Sequence, residues 1–451
     1  MSRSDLLLGT ACALALLVPA AAQAADAVTT VQQQQLPRLV EIYKTLHSHP
    51  GLSHHEETAS ETVAAELRKA GYEVTDHVGV YPDGSRAYGV VGIMKNGPGP
   101  TLLIRADMDA LPVIEATGLP YASHVTAKSP VTGLEVGVMH ACGHDIHSTV
   151  LIGVARSLAA ARSRWHGTLM LVGQPSEETV DGARAMLADH LYERFGRPDM
   201  IVGLHDTNAF AAGTTAIAIG EAQAGTTSVD ITIRGIGGHG AEPQAARDPI
   251  VLSAQFITQL QTIASRENDP LEPVVVTVGS IHGGAKRNII PEEVKMQLTT
   301  RYFTDHSRQV ILDGIRNMAA GLALSAGLPA DRAPIVTIDE NESAPPTYND
   351  PALANRVRAA LARSLGADKV SVSQKVMPSE DVGVFGLPGH QIPLAYYSLG
   401  AVDADALAKA RAAGHELPGP HNDHFAPVPE LTLATGVKSM TDVALTLLGK
   451  P

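Results

Sequence analysis

The sequence predicts an α/β protein in two parts, a larger domain on a mostly parallel sheet and an inserted ferredoxin-like unit. Three observations support this. Val/Ile/Leu runs alternate with alanine-rich helical stretches, the pattern of strands covered by helices. Near Gly225 the order changes to β-α-β-β-α-β, which is ferredoxin-like. A chain of 451 residues, 44% hydrophobic and 18% charged, can fill two cores.

Residues 1–24 read as a secretory signal peptide. Arg3 supplies a weak basic start, Leu6 to Val18 an apolar core, and Ala22-Gln23-Ala24 a small-residue cleavage site. The apolar segment is short for a membrane span, and Gly9-Thr10-Ala11-Cys12 lacks the leucine of a lipoprotein signal. A periplasmic or secreted protein, free of the membrane after cleavage, is expected.

The first part of the larger domain then occupies 25–224. Gln35 to His49 has helical spacing, and Ser53-His54-His55-Glu56 has the form of a capping box opening a helix from Glu57 to Ala70. Thr101 to Asp109 reads as a buried strand, Asp145 to Ala161 as a helix, and Thr168 to Gly173 and Met200 to Leu204 as strands. The insert spans 225–340. Its strands are Ser228 to Arg234, Pro273 to His282, Val294 to Phe303 and Ile335 to Asp339, and its helices Asp248 to Arg266 and His306 to Leu324. The second part, 341–451, begins with the linker Pro345-Pro346-Thr347. Asn349-Asp350-Pro351 starts a helix to Leu365, with proline at its first position. A strand from Pro393 to Leu399 and a helix from Pro429 to Leu448 complete the domain.

The net charge of −13 is spread along the chain, and lysine and arginine never cluster. That excludes a phosphate-backbone or anionic-membrane partner, so nucleic-acid binding is not expected. Of two cysteines, Cys12 leaves with the leader. Cys142 remains in Met139-His140-Ala141-Cys142-Gly143-His144-Asp145-Ile146-His147, a run dense in metal ligands. An unpaired thiol is a liability in an oxidising compartment, whereas a coordinated thiolate is protected.

Three candidate ligand groups fall at or just past the carboxyl ends of the parallel strands, where open α/β sheets place their crevices. In Cys142 and His144, two ligand side chains flank a glycine that permits a tight turn. Glu177-Glu178 leave a strand as neighbours pointing to different sides, so one can bind a metal while the other faces an activated water. His205 follows the apolar run Ile201-Val202-Gly203-Leu204, where a buried imidazole must satisfy both nitrogens or coordinate. Asp107 and Asp109, at i and i+2 on one strand, share a face and suit either support of a ligand or a strand-end hydrogen-bonding role.

In order and spacing these pieces resemble the amidohydrolase branch of the dinuclear metallopeptidase family, which contains hippurate hydrolase, N-acyl-amino-acid hydrolases, plant auxin-conjugate hydrolases and carboxypeptidase relatives. The resemblance runs from about Gln35 to the C-terminus. It passes through Leu46-His47-Ser48-His49-Pro50, Arg105 to Pro112, Met139 to His147, Gln174-Pro175-Ser176-Glu177-Glu178, Gly203-Leu204-His205, Gly237 to Pro243, Asn288-Ile289-Ile290-Pro291, Ser379-Glu380-Asp381 and Pro420-His421-Asn422. It implies two divalent ions per subunit, whether zinc, manganese, cobalt or nickel. Their ligands would be Cys142, His144, Glu178, His205 and His421, with Cys142 bridging and His424 a rival to His421. It further implies Glu177 as general acid/base, His239 as a group that polarises the carbonyl or grips substrate, Asn288 as a substrate contact, and an insert that acts as lid and homodimerisation surface.

There are departures. The family commonly has Phe-Gln-Pro-Ala-Glu-Glu where this chain has Gly173-Gln174-Pro175-Ser176-Glu177-Glu178, which is expected to alter a pocket wall and not the chemistry, and Asp206-Thr207-Asn208 replaces the usual aromatic and proline. A longer loop, Ala401 to Pro420, precedes His421. The resemblance thus implies hydrolysis of the amide of an N-acyl amino acid or small peptide by metal-bound hydroxide. The alternatives are a metallo-carboxypeptidase or dipeptidase, and, in another class, a catalytically silent metal- or peptide-binding protein on the same scaffold.

Overall fold

The structure is a computed structural model and describes residues 20–129 and 133–449. Most of the expected signal peptide lies outside the described residues, and the expected cleavage position falls within the first described helix, Ala20–Ser48.

The large sheet has eight strands in the spatial order Glu73–Val80, Arg86–Asn96, Gly167–Gln174, Thr101–Asp107, Met200–Ala211, Leu394–Val402, Thr215–Ile217 and Val370–Val372. The four from Gly167–Gln174 to Leu394–Val402 are parallel, while the hairpin at one edge is antiparallel. The central strands are continuous apolar runs because both faces are covered. Leu102, Ile104 and Ala106 pack under the helices Ala20–Ser48, His144–Ala160 and Pro429–Leu447. Leu103, between them, points to the other face with Met170, Val172 and Met186. The 73–96 hairpin escaped sequence reasoning because its long strand, Arg86–Asn96, is buried through most of its length and shows no alternation.

Strands Gly225–Arg234, Val275–Gly283, Glu293–Tyr302 and Ile335–Ala344 form a separate four-stranded antiparallel sheet. The helices Pro249–Thr262 and Asp305–Ser325 close its core, which is built on Ile231, Phe256, Met296 and Ile315. This is the β-α-β-β-α-β order expected. The carboxylate of Asp350 caps the helix Pro351–Leu365 at Leu353 N–H, 2.8 Å away, with proline at the first position as expected.

Four local expectations are corrected. Ser53 to Glu56 is no capping box: Ser53 Oγ donates to Asp109 Oδ2, 2.7 Å away, and Glu56 precedes the helix Glu57–Lys69 without a side-chain cap. The strand expected at 101–109 ends at Asp107. The strand expected at 200–204 continues to Ala211, because Leu394–Val402 pairs with it beyond His205. The expected 401–420 loop opens with the helix Ala404–Ala412, capped by Asp403 at Ala406 N–H.

Candidate metal centre

The ends of the strands Thr101–Asp107 and Gly167–Gln174, the middle of Met200–Ala211 and one helix start converge on the cluster. Gly143 ends the turn after Cys142 at φ 83°, and a Cβ there would lie 2.2 Å from Asp206 Oδ1, so only glycine lets the turn sit this close. His144 then begins the helix His144–Ala160. Its Nδ1 is 3.0 Å from the carbonyl of Asp109 and 3.1 Å from Asp109 Oδ1, which turns Nε2 toward the other groups. That nitrogen lies 3.8 Å from Glu178 Oε1 and 3.9 Å from Glu177 Oε2. His205 presents Nε2 to Cys142 Sγ at 3.4 Å, its Nδ1 being held by the Asp206 carbonyl at 2.6 Å. His421, at φ 69°, donates its N–H to Ala141 O and places Nε2 3.4 Å from Glu178 Oε2. Its side chain is 60% exposed, so the cluster opens to solvent there.

Electrostatically the cluster has a surplus of acids. Burial, together with Glu178 and Glu177, pushes the Cys142 thiol up. Burial and the neighbouring Glu380 raise Glu177 well above the carboxylate range, and burial lifts Glu178 to about 8 and Asp206 to about 6. Arg105 is fully buried, but its charge is spent on Asp107 at 2.5 Å, Glu380 at 2.7 Å and Asp381 at 3.0 Å. His144 Nε2 and Glu178 Oε1 are buried with no hydrogen-bond partner. An orphaned imidazole nitrogen facing an orphaned carboxylate oxygen in a surplus of negative charge fits divalent cations, which would oppose these upward pKa shifts. The groups Cys142/His144/His205, Cys142/Glu178/His421 and His144/Glu177/Glu178 each bring their ligand atoms within 4.8 Å of one another. Cys142 joins the first two, as a bridging thiolate would.

The profile of peptidase family M20/M25/M40 matches residues 103–442. The chain belongs to this family. It is 36% identical over 322 residues to the N-acetyldiaminopimelate deacetylase of Leuconostoc citreum, covering 71% of this chain and 78% of the relative. Against the hippurate hydrolase of Campylobacter jejuni the identity is 33%, covering 75% and 82% of the two chains. A dinuclear metal-binding peptidase of the M20 family from Bacillus subtilis superposes with a TM-score of 0.71 at 26% identity, covering 92% of this chain and 99% of that one. The M20 chain described here is thus a metal-dependent amidohydrolase or peptidase with the family's catalytic and lid architecture.

Within this M20 chain, Cys142, His144, Glu177, Glu178, His205 and His421 come together, as the motifs implied. His424 turns away, its Nδ1 paired with Asp423 Oδ1 at 2.7 Å. Asp109 lies past the strand end and still supports His144, and Asp107 is 2.5 Å from His147 Nδ1. His239 and Asn288 sit together on the second domain, where Gly238–His239 pairs with Ile289–Ile290. Among the described residues, no hydrogen bond or ion pair joins either to the metal cluster of the same chain.

Sequence reasoning missed His147 and Asp206 as members of the cluster. The signals were present, since His147 is one helical turn from His144 and Asp206 adjoins His205. Both nitrogens of His147 are taken, one by Asp107 and the other by Asp206 N–H at 2.9 Å, so His147 braces the centre and leaves coordination to others. Also missed was the buried histidine His47, between Asp145 and Glu115.

Proposed function

We propose that the protein hydrolyses the amide bond of N-acyl amino acids, or of short peptides with a free carboxylate. The carrying observation is that two adjacent carboxylates are divided between two positions. Both carboxylates stand beside His144 Nε2, and Glu178 alone also groups with the thiol and His421 in Cys142/Glu178/His421, which leaves Glu177 free to face a water. Cys142, His144, Glu178, His205 and His421 would hold two divalent ions, zinc, manganese, cobalt or nickel being compatible with the donor set. When bound, such ions lower the pKa of water and polarise a carbonyl. Glu177 takes the proton from the attacking water and returns it to the leaving amine, the work of a positioned general acid/base. His239 and Asn288 grip the substrate and its developing oxyanion from the lid.

The substrate class follows that of the deacetylase and hippurate hydrolase relatives. The domain limits at 24, 224 and 340, export through the N-terminal leader and a homodimer formed through the lid belong to the same proposal. A screen of N-acetyl and N-benzoyl amino acids and dipeptides on metal-reconstituted protein tests it. Hydrolysis of N-acyl amino acids that stops with chelator supports the proposal. Turnover of dipeptides alone would indicate a dipeptidase, and no turnover at all a silent binding protein.

A further inference from the structure

Ser176 is one of the departures expected from the sequence, and Glu56 stands where a capping box was expected; the structure joins them. Glu56 Oε1 accepts from both Ser176 N–H and Ser176 Oγ, each at 2.7 Å. His54 N–H donates to Glu56 Oε1 and to Ser176 Oγ, each at 2.9 Å. Tyr81 Oη lies 2.6 Å from Ser176 Oγ and is the donor, because the serine proton is committed to Glu56. His54 stacks on Tyr81 with centroids 4.0 Å apart and planes at 13°, and its Nε2 is 3.0 Å from Asp181 Oδ2. Glu56, Tyr81 and Ser176 are all buried.

The contact bears on chemistry because Ser176 immediately precedes Glu177 and has φ 52°. A left-handed residue other than glycine is strained and persists only where its surroundings impose it. Relaxation of Ser176 to negative φ would swing the next residue, Glu177, away from its position. The far end of the same turn is held by the same segment, since Glu178 N–H donates to Asp109 Oδ2 at 2.9 Å and Ser53 Oγ donates to that oxygen. The other oxygen of Glu56 is buried without a partner, a costly arrangement for a residue that merely fills space.

We propose that Glu56 and Ser176, steadied by Tyr81, are positioning residues that lock the turn carrying Glu177 in its left-handed form. The proposal rests on Glu177 being the acid/base. Ser176 is then no pocket wall, but part of a brace between residues 53–56 and the catalytic turn.

The test compares Glu56→Ala, Glu56→Gln, Ser176→Ala and Glu177→Gln, using the N-acyl amino acid that the wild type turns over fastest. kcat, KM, bound metal and Tm are measured for each. Glu56→Ala should lower kcat about tenfold or more, the scale of a misplaced catalytic group, with KM and bound metal within about twofold of wild type. Glu56→Gln keeps an acceptor for Ser176 and should restore most of kcat. Ser176→Ala retains the backbone bond to Glu56 and should fall between, so it decides the matter if Glu56→Ala does not fold. Wild-type kcat in Glu56→Ala or Ser176→Ala would overturn the brace. So would a loss of kcat matched by lost metal. An active Glu177→Gln would instead overturn the role of Glu177, which separates the two failures.

Discussion

Replacing His47 by glutamine should remove a pH-dependent share of the stability. His47 is 1% exposed, with Nδ1 2.7 Å from Asp145 Oδ2 and Nε2 3.1 Å from Glu115 Oε1. Burial opposes its charge, but the hydrogen bonds to Asp145 and Glu115 outweigh burial and raise its pKa from 6.5 to about 10. The folded protein therefore keeps a proton that the unfolded chain releases. The stabilisation is complete below about pH 6.5 and declines as pH rises toward 10, by about 1.4 kcal/mol per unit. Between about pH 6.5 and 9.5 roughly 4 kcal/mol should be lost. Removing one partner of a buried ion pair costs about 3–5 kcal/mol by a separate route, so the two magnitudes agree. Urea unfolding of metal-free wild type and His47→Gln at both pH values is the assay. The wild type should lead clearly at the lower pH and lose most of its lead at the higher. A lead that stays constant or grows with pH would refute a protonated His47.

Three further outcomes follow from the proposed roles. Glu177→Gln should lose about a hundredfold or more in kcat at unchanged metal content, measured by steady-state kinetics and elemental analysis. Cys142→Ser should lower metal occupancy after dialysis, since an alcohol bridges metals poorly, and full occupancy with normal activity would make Cys142 a packing residue. If His239 acts on the partner's site, His239→Ala and Glu177→Ala should each be nearly inactive alone. Co-refolded, they should regain about a quarter of wild-type activity, because half the dimers are mixed and each mixed dimer has one complete site. A mixture no better than its components would exclude action in trans.

The site was legible where chemistry is carried by adjacent residues. Cys142-Gly143-His144 and Glu177-Glu178 are weak signals singly, and it is their order along the chain, matched to the family's motifs, that marks them out. What escaped depends on contacts between distant segments. Ser53 and Glu56 have the letters of a capping box, and tertiary partners 56 and 120 residues away claimed both side chains. His47 meets Asp145 across 98 residues, and no local pattern marks that pair. In the fold, the buried parallel strands and the insert were readable from hydrophobic runs and their order. The strand through His205 ran longer than expected because its neighbour, not its own composition, sets where pairing stops.

Anomalous diffraction from crystals of the metal-loaded protein tests the central claim most directly. The account predicts two metal peaks per chain, with Cys142 Sγ between them and His144, Glu178, His205 and His421 completing the ligands, while Glu177 remains uncoordinated. A single peak, or peaks that leave Cys142 unligated, would contradict it.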